Sequence, residues 1–301
     1  MELPSEEELI RAARLIREGK LVAFPTETVY GLGANALDAE AVKRIYQAKE
    51  RPWASPLIVH VADEQMARTV TAEWPEIAQK LAARFWPGPL TLVLKKAEIV
   101  PDLVTAGLNS VGVRAPAHPV ALDLIRRAGV PIAAPSANRF SEISPTTAEH
   151  VGASLGDRVD MILDAGPTEV GIESTVVALT RTPPAILRPG MISQPELEAA
   201  TGICWDRELN LPRIMESPGQ HPKHYAPRTP FYVLEPGAAK PAGSGRVIAM
   251  PTDARHFAAR LYAELHNADG EGWDWIAMEA PPATPEWEGV LDRLARASAR
   301  E

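Results

Sequence analysis

The chain has 301 residues, 46% hydrophobic and 23% charged, with a formal net charge of −8. That length suits one large domain or two ordinary ones, and the charge excludes the bulk basic footprint of a nucleic-acid binder. Cys204 is the single cysteine, so an internal disulfide and a multi-cysteine metal site are excluded.

The N-terminal stretch MELPSEEELIRAARLIREGK is acidic and amphipathic, unlike a basic segment leading into an apolar one. With no run of about 18 apolar residues, the expectation is a cytoplasmic protein without signal peptide or membrane span. Ser5 and Glu8 match a capping box. Leu9, Ala13 and Ile16 follow at helical spacing, and Gly19 is a helix stop. LVAF, residues 21–24, reads as a short buried strand. Asp38 caps a second helix, AEAVKRIYQAKE, and LIVHV is the next strand. A helix is predicted over Pro75–Phe85, followed by strand LTLVL. Further strands are predicted at VGVRA, PIAA, MILDA, STVVAL and AILR, with helices at Pro119–Arg127, Thr146–Leu155 and Gln194–Ala200. This mixture predicts an α/β or α+β fold on a mixed sheet, not a strict parallel array.

Between Leu211 and Pro230 five prolines fall in twenty residues with no periodicity, which reads as a linker. Beyond it FYVLE, GRVIAM and DWIAM read as strands. They alternate with helices at DARHFAARLYAELHN and Glu286–Ala299, giving a small α/β unit. The predicted organisation is therefore a first domain over 1–210, a linker over 211–230 and a second domain over 231–301.

Several segments carry chemistry-bearing residues. Gly31-Leu-Gly33-Ala-Asn-Ala36 imitates a dinucleotide fingerprint, but PTETVY separates it from the preceding strand, and a glycine turn allowing close backbone approach is the plainer reading. No phosphate-binding P-loop motif is present. Thr26, Glu27 and Thr28 follow a buried strand, where they serve either as hydrogen-bonding groups for a small polar ligand or as an ordinary turn. Lys49 and Arg51 either cover a helix end or form part of an anion site. Arg114 and Arg188 both close strands just before a proline. Such repeated strand-end cations favour a ligand with several negative charges, because guanidinium binds phosphate and carboxylate bidentately. Ser136 and Asn138 form either a binding loop or a local side-chain turn. His60 faces away from Val59 and Val61 in its strand. His221 and His224 have metal-compatible spacing without accompanying carboxylates or thiols. Glu173 reads as a base, a magnesium ligand or a surface group.

Taken together, PTETVYGLGANA, KERPWASPLIVHV, FWPGPLTLVL, VGVRAPAHP, APSANRFSEISPT, GIESTVV and ILRPGMI resemble, in order, the YrdC family of threonylcarbamoyl-AMP synthases. HPKHYAP followed by a small α/β domain resembles the long, two-domain form. The resemblance implies a YrdC-like mixed twisted sheet with a concave cleft, plus a Rossmann-like C-terminal domain. It also implies a reaction: L-threonine, bicarbonate and ATP with Mg2+ give L-threonylcarbamoyl-AMP and pyrophosphate. A separate transferase then passes the threonylcarbamoyl group to the adenosine beside the anticodon of tRNA. By the same resemblance Lys49 and Arg51 match the phosphate-contacting pair. Ser55, Ser110, Ser136, Asn138, Ser144, Arg188 and Tyr225 match other ATP-contacting positions, with Tyr225 in the part of the linker that closes over the nucleotide. Thr28, His60, Arg114, Ala134 and Ser174 match the threonine side. Ser55 stands where the family often has asparagine, and Trp53 is bulky for its loop. Three rival readings remain: an RNA-binding module, a carbamoyl-transfer enzyme whose usual zinc-finger and acylphosphatase-like regions this chain lacks, and a regulatory nucleotide-binding protein that merely holds ATP.

Overall fold

The computed structural model describes residues 3–207 and 224–299. In chain order the first part contains α1 (Glu6–Arg17), β1 (Val22–Phe24), β2 (Gly31–Asn35), α2 (Ala39–Lys49), β3 (Ile58–His60), α3 (Glu64–Val70), α4 (Glu76–Phe85), β4 (Leu90–Lys95), α5 (Asp102–Thr105), β5 (Ser110–Arg114), α6 (Pro119–Ala128), β6 (Ile132–Ala133), α7 (Ala148–Leu155), β7 (Met161–Ile162), β8 (Thr175–Ala178), β9 (Ala185–Arg188), α8 (Gln194–Thr201) and β10 (Asp206–Arg207). The second part contains β11 (Phe231–Leu234), β12 (Gly245–Ile248), α9 (Ala254–Asp269), β13 (Trp275–Glu279) and α10 (Glu288–Ala297).

Local chemistry fixes the helix ends. Ser5 and Glu8 form the predicted capping box at the start of α1, and the Asp38 carboxylate accepts from the Glu40 and Ala41 amides at the start of α2. The short helices α3 and α5 were not foreseen, although Asp63 caps α3 by accepting from the Met66 amide.

Among the described residues the first part builds one ten-stranded mixed sheet in the order β10-β9-β8-β4-β5-β3-β6-β2-β1-β7. β3 pairs parallel with β5, and β4 with β8, whereas β4/β5, β3/β6 and β1/β2 are antiparallel. Helix α2 covers one face through Val42, Ile45 and Tyr46, which pack with Leu32, Val59 and Val113. Helices α1 and α6 cover the other through Ile16, Leu124 and Ile125, which pack with Phe24 and Ile132.

The Gly31–Gly33 segment is a strand, not a turn. Leu32 and Ala34 point into the core on one face, while the glycines leave room for Phe24 on the other. A Cβ at Gly33 would fall 2.7 Å from the Phe24 ring and 2.8 Å from Ile132. The close approach expected of these glycines is therefore present, but between strand and side chain.

The second part is a three-stranded parallel sheet, β11-β13-β12, packed with α9 and α10. It shares its core with the first part, since Val29, Ile143 and Ile172 pack in one cluster with Tyr262, Trp287 and Leu294. Backbones meet closely at this junction. A Cβ at Gly171, whose φ is +79°, would lie 2.3 Å from the Ala258 carbonyl oxygen, and one at Gly289 would lie 2.7 Å from the Gly190 backbone. No described helix is long and apolar enough to cross a membrane.

Gly33→Ala is expected to destabilise the protein by about 1–3 kcal/mol through overpacking against Phe24 and Ile132. Denaturant unfolding of the variant checks this, and an unchanged midpoint would contradict the packing described.

Candidate active site

The C-terminal ends of β3 and β5, the loop after β1 and the segments around Ser136, Ser174 and Arg188 converge on one cleft, with His224 and Tyr225 against it. Its lining includes Thr28, Arg51, His60, Arg114, Ala134, Ser136, Ser174, Arg188 and Tyr225. Lys49, Ser55, Asn138 and Ser144 stand directly behind these residues and bond to them or to their neighbours. Ser110 does not join them. It opens β5 at the end opposite Arg114 and borders a separate hollow with Lys95 and Thr180.

Lys49 ends α2, where Glu50 takes a left-handed conformation with φ 54° and turns the chain away. Its Nζ does not cover the carbonyls of its own helix. It donates to the Ser136 carbonyl at 2.5 Å and to the Asn138 carbonyl, tying α2 to the Ser136–Asn138 loop. Burial, and then the charge of Arg51, push its pKa well below the ordinary lysine value. Arg51 donates from Nη2 to Ser55 Oγ at 2.9 Å and to the Pro56 carbonyl at 3.1 Å, and its guanidinium lies over the Phe140 ring. Burial lowers its pKa to about 10. The stiff Pro52–Pro56 loop thus supplies the acceptors that hold this guanidinium in place.

Arg114 is anchored from three sides. Nε donates to the Gly88 carbonyl at 3.2 Å, Nη1 donates to Thr28 Oγ1 at 2.9 Å, and Nη2 lies 2.8 Å from the buried Glu27 carboxylate. Glu27 is therefore the counter-charge of Arg114, while its neighbours Thr26 and Thr28 face the cleft. An arginine has five N–H donors, so this anchoring leaves the guanidinium able to bind a carboxylate. His60 lies beside Arg114 in the β3/β5 register. Burial, and then Arg114, lower its pKa to about 3, so it is neutral near neutral pH.

On the opposite wall Arg188 donates from Nε and Nη2 to the Ser174 carbonyl at 3.2 and 3.0 Å, and Nη2 also reaches Ser174 Oγ at 3.2 Å. Ser174 Oγ also bonds Thr91 Oγ1 at 2.8 Å. Ser144 donates to Glu173 Oε1 at 2.6 Å. Glu173 corrects the expectation for this position, because it is neither a surface group nor a free base. Tyr262 and Arg293 of the second part donate to its Oε2 at 3.0 and 2.7 Å. Burial opposes its charge, but Arg293, Arg188 and Ser144 outweigh it and lower the pKa. The distant partners Tyr262 and Arg293 left no local signal in the sequence.

Tyr225 is fully buried with a left-handed φ of 62°, its ring beneath the Arg293 guanidinium. The unfilled space in the cleft is about 40 Å³, room for a few waters. His221 lies outside the described residues, and among those described no three His, Cys, Asp or Glu side chains group to hold a metal.

A family model described as "Telomere recombination", covering Sua5, YciO and YrdC proteins, matches residues 14–190. One described as "Threonylcarbamoyl-AMP synthase, C-terminal domain" matches residues 192–299. The threonylcarbamoyl-AMP synthase of Pyrococcus abyssi is 42% identical over 95% of this chain and 93% of its own length. That of Bacillus subtilis is 41% identical over 98% and 94%. A crystal structure of P. abyssi Sua5 complexed with L-threonine superposes with a TM-score of 0.91 at 40% identity, covering 99% of this chain and 96% of that one.

The His60 pKa has a measurable consequence. It lies near 3 in the folded protein against an ordinary 6.5, so the unfolded chain binds the proton more readily between those values and stability falls as pH drops through that window. The His60 ring resonances are expected to stay those of neutral imidazole across about pH 5 to pH 8. An NMR titration with a midpoint near 6.5 would contradict the burial described.

Proposed function

The chain belongs to the Sua5/YrdC family in its two-domain form, and we infer that it makes L-threonylcarbamoyl-AMP from L-threonine, bicarbonate and ATP, releasing pyrophosphate. The carrying observation is the convergence of Arg51, Arg114 and Arg188 from separate loops and strand ends on one cleft of an acidic protein. Transfer of the product to tRNA by a separate enzyme fits its chemistry, since a mixed carbamic–phosphoric anhydride is an activated acyl donor.

We assign the residues as follows. Arg114 receives the threonine carboxylate, positioned from behind by Glu27 and from within the cleft by Thr28, itself on the threonine side. His60, neutral, and Ser174 and Ala134 complete the threonine side. A neutral imidazole adds no second cation that would repel the substrate amine. Bicarbonate gives up hydroxide to leave CO2, the amine adds to that carbon and loses a proton to form a carbamate, and a carbamate oxygen attacks the α-phosphorus of ATP. The new O–P bond forms as the bond to pyrophosphate breaks. Arg51 faces the charge that gathers on the leaving group, and Lys49 stands behind it, holding the Ser136–Asn138 loop. Because both are already fixed by carbonyl acceptors, they need little reorganisation. Ser55, Ser136, Asn138, Ser144 and Arg188 fill the nucleotide side. Magnesium enters as the counter-ion of ATP, since Glu173 in the cleft wall is already bonded to Ser144, Tyr262 and Arg293.

We take residues 1–210 as the catalytic unit, 211–230 as its cover and 231–301 as the second domain. Tyr225, within the cover, lines the cleft. ATP is far larger than the free space there, so in this reading the Tyr225 ring moves aside to admit ATP and returns to keep water from the anhydride. Residues 211–223 of the cover lie outside the described residues.

Pyrophosphate release by the purified protein with Mg·ATP should require both threonine and bicarbonate, and release indifferent to threonine would overturn the assignment. Arg51→Ala is expected to lower kcat by about 10²- to 10³-fold, as for loss of a transition-state charge contact. Arg114→Ala should chiefly raise the KM for threonine, and steady-state kinetics separate the two effects.

A further inference from the structure

Glu173 joins two stretches of chain that lie far apart in sequence. Its Oε1 accepts from Ser144 at 2.6 Å, while its Oε2 accepts from Tyr262 of α9 at 3.0 Å and from Arg293 Nε of α10 at 2.7 Å. Arg293 is wholly buried, and besides an ion pair from Nη1 to Asp292 of its own helix it uses the rest of its fork on the same wall. Nη2 donates to the Glu173 carbonyl at 3.2 Å, and Nη1 donates to the Pro189 carbonyl at 3.0 Å. These carbonyls belong to the residue before Ser174 and the residue after Arg188. The face of the same guanidinium lies 5.4 Å from the centre of the Tyr225 ring. His266 of α9 adds a contact to the Ser144 carbonyl at 3.2 Å and stacks on His150. Helix α10 is held against this wall at backbone distance through Gly289 and Gly190.

We propose that Arg293 is a positioning residue for the reaction, fixing Tyr225 directly and fixing Ser144 and Ser174 through Glu173, so that the second domain is a built-in part of the nucleotide wall. This rests on the reading of the cleft as the site of threonylcarbamoyl-AMP synthesis. Only a planar fork reaches a carboxylate and two carbonyls at once while stacking on a ring, so lysine cannot replace it. The groups facing Glu173 are Arg293, Arg188, Asp292, Tyr225, Tyr262 and Ser144. Removing Arg293 leaves Arg188 as the remaining cation among them. Burial then raises the Glu173 pKa, and its protonation releases Ser144.

The test uses full-length Arg293→Lys, Arg293→Met and Tyr262→Phe variants, with exposed Arg260→Ala as a control for disturbing the second domain. The readouts are the Kd for ATP by calorimetry, the kinetic constants against pH, and the thermal midpoint. Tyr262→Phe is expected to fold and to weaken ATP binding by about threefold to tenfold, the effect of one hydrogen bond. Arg293→Lys should weaken it more. Arg293→Met should move the acid limb of the kcat/KM profile for ATP upward by about one pH unit or more, and adding Glu173→Gln should abolish that shift. If Arg293→Met does not fold, the Lys and Phe variants decide. Folded variants with unchanged ATP affinity and an unchanged pH profile would overturn the proposal, as would a wild-type protein that does not bind ATP. A wild type that binds ATP but shows no threonine-dependent turnover would remove the functional reading alone, and the proposal would then be judged on the affinities.

Discussion

Lys49, Arg51, Arg114, Arg188 and Arg293 are all buried around one cleft, and the buried carboxylates among the described residues are Glu27 and Glu173. Taking that many like charges out of water costs several kcal/mol for each ion unless compensating groups are in place. Backbone carbonyls of Ser136, Asn138, Pro56, Gly88, Ser174 and Pro189 provide much of that compensation. These carbonyls lie in loops and at strand ends, where the sheet ladder does not consume them. Prolines at 52, 56, 87, 89, 135 and 189 stiffen the same segments. The local excess of cations makes the cleft an anion site in a chain whose net charge is −8. An anionic ligand lowers the electrostatic strain that the folded protein carries without it.

That charge excess divides the two carboxylates by role. Glu27 sits beside Arg114 without lining the cleft, and holds a guanidinium that does line it. Glu173 sits in the wall itself and is itself held by Arg293 and Tyr262. The first arrangement is complete within the opening residues of the β1–β2 connection and the end of β5. The second cannot exist without α9 and α10. One wall of the cleft is therefore internal to the first domain, and the other depends on the second.

The strand-end cations were legible in the sequence because a buried strand followed by an arginine and a proline has few other readings. Helix starts were legible from Ser5 with Glu8 and from Asp38, whose side chains cap in the structure as their spacing predicts. The strand β2 was not, because glycine signals a turn by its backbone freedom. Here it serves a different need, leaving space for the Phe24 ring that only the folded sheet brings there. Ser110 was grouped with the cleft by resemblance, yet the direction of β5 carries it to the far end from Arg114. Glu173 was open to three readings because its deciding partner, Arg293, lies in another domain and carries no local motif.

The division of the chain at its proline-rich linker suggests two bodies joined by a tether, but the packing argues for one cooperative unit. Val29, Ile143 and Ile172 of the first domain are buried in one cluster with side chains of the second. Separation would expose this apolar surface and would also leave the Glu173 carboxylate without its chief cation. Burial of an unpaired charge and exposure of apolar area both disfavour the separated state. The same contacts that make the domains hard to pull apart are those that shape the wall containing Ser144 and Ser174. Rearrangement during turnover is therefore better placed at Tyr225 itself, whose ring rests on Arg293 by a stacking contact that can be broken and remade, than in any swing of the second domain away from the first.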